Sequence, residues 1–257
     1  EKKSKDEHSE AFAEAIQGIN TVIIDEVHMA KADVLKRLLT GPFAHCGIRW
    51  GLTGTVPKAD YEFMGLKCSI GDVTHRIQAS ELQDKGVLAN CHVNVLQTQD
   101  HPQFKTYAEE LKWLTTDKVR MKWVANTIKD ISTSGNTLIL VDRISAGQIL
   151  QEQLEDSVFV SGSTKNVDRK EQYDEVSTAT NKIIIATYGV ASVGINIPRI
   201  FNLVLIEPGK SFVRVIQSIG RGIRKAEDKE NVQIWDITSS CKFAKRHLGA
   251  RKKFYKE

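Results

Sequence analysis

The sequence lacks most of the features that would place it outside the ordinary globular proteins. Its four cysteines, Cys46, Cys68, Cys91 and Cys241, are scattered with no short paired spacing. That excludes a disulfide scaffold and a zinc knuckle, and fits a reducing cytoplasm. No apolar run approaches the ~18–20 residues that cross a bilayer. Residues 1–10 are charged and polar, unlike a secretory leader. There is no repeat of solenoid length and no low-complexity tract. Also missing is any Gly-x-x-x-x-Gly-Lys-Ser/Thr loop; residues 161–165 hold a Gly and a Lys, but not at that spacing.

What is present is 257 residues, 41% hydrophobic and 26% charged, enough for one large or two ordinary α/β domains. The net charge is a modest +4, but it is unevenly spread: residues 242–257 carry seven Lys/Arg against one acid. A basic tail is either a solvated helical surface or a nucleic-acid contact, and the charge run alone favours the former.

Short apolar runs mark strands at 21–24, 49–52, 93–96, 137–141, 158–160, 183–186, 203–206 and 232–236. A short helix with Phe12, Ala15, Ile16 and Ile19 on one face precedes the first. Between the strands, 32–39 reads as a helix with Val34, Leu35, Leu38 and Leu39 inward. A helix over 80–85 has Ser80 as its expected cap and Gly86 as its stop. A long helical region over 104–131 breaks near Thr115-Thr116, and further helices are expected at 144–154, 168–176 and 211–220. Four- and five-residue apolar strands alternating with helices imply parallel sheets covered on both faces. The crossing between domains is expected at 98–103.

The chemistry lies at strand ends. Asp25 and Glu26 follow the strand Thr21–Ile24, at the carboxyl edge where open α/β sheets bind ligands. Two acids there suit a Mg²⁺ ion and an attacking water; alone they are equally a solvated strand end. His28 is positioned to relay to the next strand, where Thr53-Gly54-Thr55 follows 49–52. The stretch Ala186–Pro198 sets Thr187, Gly189 and Gly194 after a buried strand, where backbone amides approach phosphate or sugar, with Asn196 for a ribose hydroxyl. Gln217, Arg221 and Arg224 recur at steps of four and three, on one side of a helix. Arg224 suits an arginine finger, with Arg221 sharing the charge of a transferring phosphoryl group.

Order, strand-edge placement and spread over two α/β units together resemble the superfamily-two helicases and translocases. Asp25–His28 resembles motif II and Thr53–Thr55 motif III. Leu138–Arg143 resembles motif IV, with Val160-Ser161-Gly162 after it, Ala186–Pro198 motif V, and Gln217–Arg224 motif VI. The layout is most similar to the phage UvsW-type recombination helicases of the XPB-like and restriction-translocase branch. Residues 81–89 resemble that branch's helix leading out of the first domain, and 245–255 its basic C-terminal helix.

The resemblance implies RecA-like parallel sheets flanked by helices. Residues 1–97 would be the later part of a first RecA-like domain, whose phosphate-cradling motif I would lie upstream, and 98–257 a complete second one. It implies ATP and Mg²⁺ as cofactors. Asp25 and Glu26 would serve the metal and the water, His28 and Gln217 the catalytic site, and Gly194, Asn196, Gln217, Arg221 and Arg224 the nucleotide. Thr53, Thr55, Arg143, Ser161, Gly162 and Thr187 would contact nucleic acid. Branched or forked DNA, or an RNA–DNA hybrid, would be the partner, with recombination or replication proteins and no membrane, in a bacterial or phage-infected cytoplasm. Asn196 departs from the Asp of many relatives, which weakens the ribose contact. An RNA helicase, a restriction-complex motor and a non-catalytic binding module remain alternatives. Thr-Gly-Thr in motif III and Gln at the head of motif VI count against the DEAD-box RNA helicases.

Overall fold

The structure, a computed structural model, describes residues 11–30, 32–54, 56, 60–162, 179–192, 199–210, 229 and 231–255. The chain forms two compact units, Glu1–Arg76 and Ile77–Glu257. The division falls at Arg76/Ile77, not at 97/98. Residues 90–97, expected to end the first domain, form with Thr98 a strand that pairs along nine residues with one beginning at Asn231. A partner that far along the chain leaves no trace in the local pattern.

In the first unit, β1 (Thr21–Ile24) pairs in parallel with β2 (Ile48–Gly51). Between them lie a 3₁₀ turn at Val27–Met29 and helix α1 (Ala32–Thr40); α2 (Asp60–Ile70) follows. The sequence pattern marks no element over α2. Val27, Leu35, Leu39 and Leu66 are the buried centre, with Val22, Ile24 and Phe43 against it. Leu35 and Leu39, one turn apart, are the stripe of α1 that goes inward. Val34 and Leu38, also expected inward, are 48% and 40% exposed.

The second unit opens with α3 (Ala79–Asp84) and β3 (Asn90–Thr98). Helix α3 starts one residue earlier than expected. Its cap is Gln78, with no side-chain hydrogen bond, so Ser80 is not the cap. Next come α4 (Tyr107–Thr116) and α5 (Lys118–Ser132). They are separated at Asp117, whose extended backbone ends one helix while its carboxylate accepts the Arg120 N–H at 2.9 Å to start the other. Thr106 and Glu109 form a reciprocal capping box at the head of α4. Alternation follows: β4 (Thr137–Val141), α6 (Ile144–Gln153), β5 (Val158–Val160), β6 (Ile183–Thr187), α7 (Tyr188–Ser192), β7 (Asn202–Ile206), β8 (Asn231–Ser239) and α8 (Lys242–Phe254). The helices expected at 168–176 and 211–220 lie outside the described residues.

The strands form one six-stranded sheet in the order β3-β8-β7-β4-β6-β5, and every described pair is parallel. Successive strand residues point to opposite faces, so each apolar run feeds two cores. Leu138, Leu140, Ile184, Leu203, Leu205 and Ile234 fill one face. Ile139, Val141, Ile185, Val204 and Ile237 fill the other, beneath Val124 and Ile128 of α5 and Leu150 of α6. This is why the strands read as continuous apolar runs instead of alternating ones.

Candidate functional site

In the first unit, parallel pairing of β1 with β2 brings two loops to one edge. Leu52 donates to Ile24 O at 2.9 Å, and Val27 donates to Leu52 O at 3.0 Å, continuing the ladder past both strand ends. Between these bonds, Glu26 takes the left-handed conformation, φ 47° and ψ 43°, uncommon for a residue with a Cβ. Its N–H donates to Asp25 Oδ1 at 2.8 Å, and its carboxylate lies 3.3 Å from His28 Nδ1. His28 Nδ1 is also 2.7 Å from Thr53 Oγ1. The hydroxyl expected to reach across the edge from β2 therefore meets the imidazole. The His28 side chain is almost fully buried, with its Nε2 unpartnered among the described residues.

The two carboxylates differ. Asp25 is exposed, and its Oδ2 makes no hydrogen bond among the described residues. A hard cation that keeps most of its waters needs one such oxygen, so Mg²⁺ fits Asp25. Glu26 Oε2 is tied to His28, which suits a group that orients water more than a metal ligand. Among the described residues no cluster of three or more His, Cys, Asp or Glu forms an all-protein metal cage.

In the second unit, the register sets Val141 opposite Thr187 and Val160 opposite Ala186. The residues just beyond β4, β5 and β6 thus share one carboxyl edge: Arg143, Ser161 and Gly162, and Thr187. Arg143 donates to Ala108 O at 3.3 Å. Ser161 is buried and Gly162 exposed at this edge. Thr187 is half-buried at the end of β6. Thr55, Gly194, Asn196, Gln217, Arg221 and Arg224 lie outside the described residues.

The same edge holds a buried charge network that the sequence pattern does not reveal. Glu207, directly after β7 at φ 44°, accepts from Arg120 Nη2 at 2.8 Å and from the Thr238 hydroxyl at 3.0 Å. Arg251 of α8 donates to both carboxylate oxygens of Asp236 at 2.8 Å and to Gly209 O at 2.6 Å. Tyr255 donates to Asp236 at 2.7 Å. Burial and the neighbouring Asp236 push the Tyr255 phenol up. Burial pulls the Arg251 guanidinium down, and Asp236 outweighs it to hold the group above its usual value. Arg251 belongs to the basic run that reads as a solvated tail, yet it is 1% exposed. The only signals were an acid inside each of two strand contexts, Glu207 and Asp236, which demand buried cations.

Burial, the larger effect, pushes Glu207 up to about 7 from an ordinary value of 4.5, against the pull of Arg120. The folded chain therefore binds the Glu207 proton more tightly than the unfolded chain. Its contribution falls as pH rises from the unfolded value through about 7. Glu207→Gln removes this titration. The melting temperature of the native protein minus that of the variant should drop between about pH 5 and about pH 8. A pH-independent difference would mean that Glu207 stays ionised throughout.

Comparison with known proteins agrees with this layout. Residues 120–226 match the helicase conserved C-terminal domain. The ATP-dependent DNA helicase uvsW of Enterobacteria phage T4 is 26% identical over 241 residues, covering 90% of this chain and 48% of the phage protein. Putative helicase 22 of Sulfolobus islandicus filamentous virus is 27% identical over 259 residues, 92% of this chain and 45% of the viral protein. The crystal structure of T4 UvsW superposes with a TM-score of 0.57 at 21% identity, covering 95% of this chain and 53% of that one. That likeness shows a shared RecA-like fold. The chain spans about half the length of these relatives.

Proposed function

We propose, on the premise that the chain carries a helicase C-terminal domain and is of the superfamily-two type similar to UvsW, that it works within an ATP-driven DNA translocase that remodels branched DNA. Fork regression, branch migration and R-loop removal would be its reactions. The observation that carries the catalytic half is the Glu26–His28–Thr53 chain, 3.3 and 2.7 Å, at the edge of β1 and β2. It joins a water-orienting carboxylate to the loop that would sense nucleic acid.

Mg²⁺ held at Asp25 would neutralise charge on the ATP phosphates. Glu26, in its left-handed turn, sets its carboxylate against His28, which would leave Asp25 for the metal and Glu26 for the attacking water. His28 reports the position of Thr53 to Glu26 through a single nitrogen. Arg221 and Arg224, with Gln217, would neutralise the charge of the transferring phosphoryl group. Arg143, the Gly162 backbone and Thr187 would hold backbone phosphates, contacts that fix position without reading sequence. Hydrolysis also needs a phosphate-cradling loop that residues 1–257 do not contain.

The test is ATP hydrolysis by the full-length protein without nucleic acid, with single-stranded RNA and with forked DNA. Selective stimulation by forked DNA is expected. Stimulation by RNA instead would make it an RNA helicase. No hydrolysis by the folded protein would replace the motor with a non-catalytic binding module.

A further inference from the structure

The surface of α8 carries a charge pattern that its packing does not require. Every described exposed residue of this helix other than Gly249 is a cation: Lys242, Lys245, Arg246, Lys252 and Lys253. Their successive steps of three, one, six and one place them along one side of the helix, a ridge of roughly 16 Å at the α-helical rise. The opposite side is committed to the protein: Ala244, His247, Leu248 and Arg251 are buried. No described carboxylate forms a salt bridge with any ridge cation.

Helix energetics argue against a merely solvated face. Lys252 and Lys253 sit in the last turn, where the helix dipole welcomes cations. Lys242 and Lys245 lie in the first, where the dipole disfavours cations, with Arg246 just beyond it. The buried Glu110 carboxylate offsets this by accepting the Phe243 and Ala244 N–H groups at 3.1 and 2.7 Å. The Phe243 and Ala244 amides are thus already occupied, while the cationic side chains face outward. The helix beneath the ridge is also anchored at both ends. Glu110 fixes its start, the Arg251–Asp236 and Tyr255–Asp236 bonds fix its end, and Lys242 and Arg246 lie 5.4 and 5.3 Å from the Phe243 ring.

We propose that this ridge is a docking surface for the phosphate backbone of a nucleic-acid duplex, separate from the strand-end contacts assigned above. The proposal rests on the nucleic-acid reading of the protein, but not on hydrolysis. A duplex presents one negative charge per ~1.7 Å of axis in a regular array, which a straight row of cations on an anchored helix fits. A flexible single strand is held by stacking platforms. Here Phe243, a described ring beside the ridge, is half-buried and flanked by two cations. A membrane-surface helix needs its apolar side for lipid, and in α8 that side is spent on the protein core.

The experiment is fluorescence anisotropy of a labelled duplex of roughly 20 base pairs, in a salt series without nucleotide. It compares the full-length protein with Lys242→Gln/Lys245→Gln/Lys252→Gln. The slope of log K against log[salt] should become shallower by about 2–3, roughly one for each phosphate no longer neutralised, and equally for two unrelated sequences. The single variants Lys245→Gln and Lys252→Gln should each lower it by about one, so the reading survives if the triple variant is poorly folded. An unchanged slope in the single variants overturns the proposal. So does poly-glutamate or a phosphatidylserine vesicle that binds the ridge as tightly as the duplex. Because no nucleotide is present, failure of the hydrolysis reading leaves this result untouched.

Discussion

Arg251→Ala should destabilise the second unit by about 3–5 kcal/mol, the cost of leaving one partner of a buried ion pair without its counter-charge. Arg251 and Asp236 are 1% and 0% exposed, and they meet in a two-bond fork with both distances 2.8 Å. The alanine also strips Gly209 O of a donor and, among the described residues, leaves Asp236 the Tyr255 hydroxyl alone. Urea unfolding followed by tryptophan fluorescence measures the loss. Arg251→Met combined with Asp236→Leu should recover much of it, because no charge is then stranded. A single-variant loss under about 1 kcal/mol would show that water reaches the pair and screens it.

Arg224→Ala in the full-length protein should slow ATP hydrolysis by ~10³-fold or more while leaving nucleotide binding nearly intact. A finger of this kind acts on charge that develops only in the transition state, so its removal lowers turnover without a matching loss of ground-state affinity. Single-turnover hydrolysis and equilibrium nucleotide binding, measured side by side, separate the two effects. Retained turnover would remove Arg224 from that role. A parallel loss of binding would make it a ground-state ligand.

Both predictions concern arginines near the chain's end, and they differ in how legible they were. Gln217, Arg221 and Arg224 stand out by spacing alone, which is what makes them candidates for the nucleotide. Arg251 gives no such sign. It sits in a run with Lys252 and Lys253, and composition treats all three alike. Rotation about the helix separates them, sending Arg251 into the sheet edge and the lysines to solvent. The same rotation divides α1, where Leu35 goes in while Val34 stays out.

Among the described residues, the sequence alone determined the alternation of strands and helices in the second unit, the helix break just past Thr115-Thr116, and the placing of acids at the end of β1. Each is a local matter: an apolar run too short for a helix, a residue that caps better than it continues, a polar pair where a buried strand stops. Tertiary structure alone decided that residues 90–98 belong to the second sheet, because β3 is satisfied by β8 some 140 residues away. It also decided that Glu207 and Asp236 would find Arg120 and Arg251. A buried carboxylate makes a partner obligatory, but which cation arrives depends on how helices pack over the sheet, and no local pattern carries that.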